Sequence, residues 1–91
     1  MSQYISNYVW VNNTLTFSIS ETAVGLKIDV KTSGQSAFIT LFESRTLAPT
    51  SMPLVGSIGD TIEVKGSVIE SGTEEWPEEP PPTTVSYFNP I

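Results

Sequence analysis

Tyr8-Val9-Trp10-Val11-Asn12-Asn13-Thr14-Leu15-Thr16-Phe17-Ser18-Ile19 reads as two strands around a two-residue turn. Asparagine tolerates positive φ, which a type I′ hairpin turn requires at both central positions. A turn at Asn12-Asn13 sets Val11 against Thr14, Trp10 against Leu15 and Tyr8 against Phe17. Cross-strand partners share a face, so Tyr8, Trp10, Leu15, Phe17 and Ile19 point one way, toward a core. Val9, Val11, Thr14 and Thr16 point the other way.

Further along, Leu26-Lys27-Ile28-Asp29-Val30-Lys31 alternates apolar with charged residues, the signature of a half-buried strand. Ser33-Gly34 signals a turn, and Ala37 to Glu43 reads as the next strand. A loop of two or four residues sets Ile39 and Leu41 beside Ile28 and Val30, and turns Phe38 and Phe42 outward. A loop of three reverses this. Residues 44–53 contain Pro49 and Pro53 and read as a loop. A short apolar stretch resumes at Leu54-Val55. Gly59-Asp60 then leads into a strand, Thr61 to Ile69, with Ile62, Val64 and Val68 on one face. Gly66 within it marks a bulge or a close approach.

No helical periodicity persists, and about six short strands separated by turns imply an all-β domain. The expected architecture is a small antiparallel β-sandwich, immunoglobulin-like, over residues 1–72. A compact barrel of the oligonucleotide/oligosaccharide-binding type is the alternative. Residues 73–91 change character and are expected to form an acidic, proline-rich arm with an apolar tip.

The chain has 91 residues, no Cys, no His and a formal charge of −6. That size fits one domain with a thin stability margin, which oligomerisation would relieve. Residues 1–72 carry six acidic and four basic groups; residues 73–91 carry four acidic groups and no base. An acidic surface repels phosphate backbones and anionic membranes, so neither nucleic acid nor membrane is an expected partner. No apolar run approaches the roughly 20 residues needed to span a bilayer. Met1-Ser2-Gln3-Tyr4 has no basic region ahead of an apolar stretch, so no targeting signal is expected. Cytoplasmic synthesis, with a place in a virion, is the corresponding expectation.

The residue inventory also limits chemistry. Without His or Cys there is no Ser-His-Asp triad, no thiolate nucleophile and no ordinary zinc or copper ligand set. Lys27, Lys31 and Lys65 lie on polar strand faces and make poor bases for a serine. Glu74, Glu75, Glu78 and Glu79 are the only dense carboxylate cluster. Among prolines they read as a solvated linker, and they lack the spacing of a calcium loop. Asn12-Asn13-Thr14 matches a glycosylation acceptor but reads as a turn. No enzyme activity, cofactor or metal is expected.

The segment with the strongest contact character is the arm. Trp76 anchors its base. Pro77 to Pro82, including Pro80, Pro81 and Pro82, makes a semi-rigid spacer of roughly 18 Å, at about 3.1 Å per residue in polyproline II. Val85, Tyr87, Phe88 and Ile91 form the tip, and Val85 to Phe88 has the propensity to join a sheet edge. Three readings stand open: docking outside its own domain, by exchange between subunits or on a different protein's surface; return as the last strand of its own domain; or Pro80-Pro81-Pro82 as a ligand for a proline-recognising domain. Phe38 and Phe42, if both face outward, add an apolar strip. The expected function is that of a non-enzymatic structural protein. It would decorate or cement a larger protein assembly, such as a viral capsid or fibre, and form homo-oligomers. A carbohydrate-binding or adhesin-like module using Tyr4, Trp76, Tyr87 or Phe38 is the alternative.

Overall fold

A computed structural model of the protein describes residues 5–32, 34–72, 75–76 and 81–88. Its first hairpin has the register that the two asparagines imply. β1 (Ser6–Val11) and β2 (Thr14–Ser18) run antiparallel, with Val11 opposite Thr14 and Trp10 opposite Leu15. Asn12 and Asn13 hold φ of 54° and 57°, as a type I′ turn demands. Trp10, Leu15 and Phe17 are buried, and Tyr8 and Ile19 pack against them. Asn7, at φ 58°, shifts the register between Ser6 and Val9, yet the Tyr8 and Phe17 rings still meet at 5.9 Å.

β5 (Ser51–Pro53) extends this sheet on the β2 side, setting Met52 against Leu15. Residues 44–53 are therefore not all loop. A proline can end such a strand because the outer edge needs no donor.

β3 (Ala23–Thr32) lies at the middle of the second sheet beside β6 (Thr61–Glu70). Leu26, Ile28 and Val30 face inward with Val68, Gly66 and Val64 as their partners. The ladder runs without a shift past Gly66, so this glycine marks a close approach: Ile5 and Tyr8 fill the space a Cβ would need. Burial beside it pushes the Tyr8 phenol up from 10.0 to about 12. On the outer face Lys27 pairs with Asp29 at 3.9 Å and Lys31 with Glu63 at 3.7 Å. Such exposed pairs contribute little, roughly 0–1 kcal/mol.

β4 (Ile39–Ser44) follows neither loop-length alternative cleanly. Ile39 pairs with Val30, but a bulge between Ile28 and Asp29 then brings Phe42, not Leu41, opposite Ile28. The extra residue turns the strand, so Leu41 and Phe42 both pack against the core. Phe38 stays outside, with the Lys65 ammonium 4.2 Å and the Lys31 ammonium 5.5 Å from its ring centroid. The outward strip of Phe38 and Phe42 is thus not formed.

β7 (Thr83–Ser86) completes the second sheet by pairing with β6, Ile62 opposite Val85 and Val64 opposite Thr83. Residues 83–86, which the sequence reading assigned to the arm, are thus built into the sheet, and Val85 is buried in the core. Pro80, Ile91 and the remainder of 77–80 and 89–91 lie outside the described residues.

The result is an all-β molecule of two antiparallel sheets, ordered β1-β2-β5 and β4-β3-β6-β7, closed on one core. A parallel bridge, Trp10 to Tyr87, stitches β1 to the residue that follows β7. On the opposite side β4 and β5 end their sheets.

Candidate binding site

The stitched end of the molecule gathers side chains from three distant parts of the sequence. The hairpin turn delivers Asn13, which reaches across to the segment between β5 and β6. Its carbonyl accepts from the Leu54 amide at 2.9 Å, and its Oδ1 accepts from the Gly56 amide at 3.0 Å. The Asn13 amide in turn donates to the Tyr87 hydroxyl at 3.0 Å. Trp10 stands beneath: its indole Nε1 donates to the Leu54 carbonyl at 2.8 Å. Its ring meets Tyr87 edge-on, with centroids 5.0 Å apart and planes at 76°. That arrangement is favoured by the aromatic quadrupoles.

Gly56 explains how the loop can lie so close. A Cβ there would overlap both the Trp10 and the Tyr87 rings, so only glycine lets the backbone lie over this pair. The loop then turns through Gly59, at φ 97°, with the Asp60 amide donating to the Ser57 carbonyl at 3.0 Å. The Ser57 amide donates to Asp60 Oδ2 at 2.9 Å. The chain end is tied in from the other side: the Tyr87 amide donates to the Asp60 carbonyl at 2.9 Å and the Phe88 amide to the Trp10 carbonyl at 2.7 Å.

This bracing has an outward consequence. With Gly56 and Leu54 committed inward, their neighbours are presented to solvent on a loop held by hydrogen bonds. Val55 is 82 % exposed and Ile58 64 % exposed. Phe88, next to the anchored Tyr87, is 54 % exposed. A cleft of about 340 Å³ opens beside Val55, lined also by Trp10, Thr32, Asp60 and Ile62.

The residues singled out from sequence fall into separate environments. Val85 is core and Tyr87 is half-buried against Trp10. Phe88 is at the surface, and Pro81 and Pro82 lead, exposed, into β7. Trp76 is half-buried, with the Arg45 guanidinium 5.8 Å from its ring centroid. Phe38 lies near Lys31 and Lys65 on the outer sheet face, and Phe42 packs on the core. Of the rings considered for sugar stacking, Trp76, Tyr87 and Phe38 thus have three different settings, and Tyr4 lies outside the described residues.

Sequence reasoning did not single out Asn13, Gly56, Val55 or Ile58 for contact. For Val55 and Gly56 the one signal is Pro53-Leu54-Val55-Gly56, an apolar run without strand alternation; Asn13 reads only as a turn residue, and Ile58 carries no signal.

Among the described residues no three Asp, Glu, His or Cys come together as a metal-ligand group. Glu70 takes the Ser20 hydroxyl at 3.1 Å and the Thr22 hydroxyl on one carboxylate oxygen, pinning the turn before β3 to the end of β6. Comparison with protein-family models, with curated proteins and with solved structures finds no match for this chain.

Proposed function

We propose that this chain is a non-enzymatic interaction module, a small immunoglobulin-like sandwich that decorates or cements a larger protein assembly such as a capsid or fibre. The finer fold assignment is supported by strand order. β1-β2-β5 and β4-β3-β6-β7 correspond to the A-B-E and C′-C-F-G sheets of immunoglobulin-like domains. The observation that carries the function is the braced loop: Val55 and Ile58 are exposed on a loop whose Leu54, Gly56 and Asp60 are fixed to Trp10, Asn13 and Tyr87. Exposed apolar groups on a fixed frame suit protein contact, because little conformational entropy remains to be lost on docking. The absence of His and Cys from the sequence favours binding over catalysis.

The test is affinity capture from the source organism with the full chain and with a Val55→Ser/Ile58→Ser/Phe88→Ser variant. The variant should melt within a few degrees of the parent and lose a partner that the parent retains. An identical set of captured proteins for the two chains would remove the proposal's support.

A further inference from the structure

The C-terminal strand is held in an unusual balance. At its far end it is well anchored, by Tyr87 in the Trp10–Asn13 socket and by the Phe88 amide on Trp10. Along its length it is lightly held: four pairs with β6 and one buried side chain, Val85, with Thr83, Thr84 and Ser86 exposed. Among the described residues its pairing with β6 stops at Thr83. Continuing the register would set Pro82, Pro81, Pro80 and Pro77 opposite Lys65, Gly66, Ser67 and Glu70. Proline has no amide to donate, so the ladder cannot grow past Thr83. The other edge is equally light: β1 meets this segment at the Trp10–Tyr87 bridge, and a cleft of about 410 Å³ separates Ser6–Tyr8 from Thr83–Ser86.

The contacts described above that hold residues 83–88 come from residues 10–13 and 56–64, distant in sequence. The socket therefore does not distinguish whose strand fills it. The connector does: residues 71–82 contain four prolines and four glutamates, a composition that stiffens and extends a chain. We propose that the socket takes residues 83–88 from a second copy of this chain, so that two molecules exchange their last strands. Every docking contact is then remade in identical form, and concentration and the connector decide the balance. The inference deepens the interaction reading by naming one partner. Its readout is self-association through the Thr61–Ser86 pairing, whereas the earlier test reads capture of a different protein, so the failure of one is distinguishable from the failure of the other.

Thr61 and Ser86 are cross-strand partners, both exposed, and the chain has no cysteine of its own. Full-length Thr61→Cys and Ser86→Cys chains, mixed at high protein concentration and oxidised, should form a 61–86 disulfide between molecules. Its yield should rise with concentration and exceed that of Thr61→Cys mixed with a Ser36→Cys control. Native mass spectrometry of the unmodified chain should show a dimer. Replacing Pro80, Pro81 and Pro82 by Gly-Ser-Gly should weaken that dimer while leaving the monomer folded. The proposal is overturned by mixed single variants that cross-link no better than the control, together with an unmodified chain that is monomeric at every concentration.

Discussion

Asn12 and Asn13 share a backbone conformation but not a role. Both hold positive φ, where glycine would be at least as comfortable. Asn13 adds a side-chain oxygen that the Gly56 amide uses, while Asn12 has its carbonyl engaged by Thr14. Asn12→Gly should therefore change stability by less than about 0.5 kcal/mol. Asn13→Gly should cost about 1 kcal/mol despite the better turn residue, because a hydrogen bond at the seam is lost. Urea titration of the two variants separates them, and equal midpoints would contradict the assignment. Gly56→Ala should cost about 1–3 kcal/mol by overpacking the Trp10–Tyr87 pair. Tyr8 supplies a pH test. Its phenol ionises near 10 in the unfolded chain and near 12 in the folded one, so folding favours the protonated form. That contribution is complete below pH 10 and fades as pH rises toward 12. Thermal melts of Tyr8→Phe should fall less steeply across that interval than those of the parent; parallel curves would refute the burial argument.

At the scale of the strand, the legible features were those set by local alternation. The β1–β2 register followed from two asparagines, and the inward face of β3 from Leu26, Ile28 and Val30. β4 was not legible. Its facing depends on a bulge opposite Ile28, and no residue in Ile39 to Ser44 announces one. β7 was readable as a strand but not as a member of a particular sheet, since pairing with Ile62 and Val64 is a choice made about twenty residues away. Once it is placed, its energetics follow. Val85→Ala removes two buried methyl groups and should cost about 2 kcal/mol. Thr84→Ala, at an exposed position, should stay within about 0.5 kcal/mol. Chemical denaturation that ranks these two equally would mean β7 is not part of the cooperative unit.

For the molecule as a whole, the all-β class was legible; the choice between sandwich and barrel and the stitching were not. The seam joins Trp10 to Tyr87 across most of the chain, and short-range patterns carry no trace of so distant a meeting. Nor did composition reveal which loop would be braced, because Val55 and Ile58 owe their exposure to what Gly56 touches. The formal charge of −6 acts on everything at once. Screening its self-repulsion should raise the melting temperature at neutral pH between low and moderate salt. A melting point that drops over that range would show that attractive pairs such as Lys31–Glu63 outweigh the net charge. The two tryptophans differ in a way that makes the seam visible. Trp10 is 2 % exposed and touches Tyr87, whereas Trp76 is half-buried near Arg45. In a Trp76→Phe chain the tryptophan emission would come from the indole at the socket alone. Its emission would shift to the red when the last strand leaves and return when any copy of that strand arrives, giving an optical clock for docking without an attached dye.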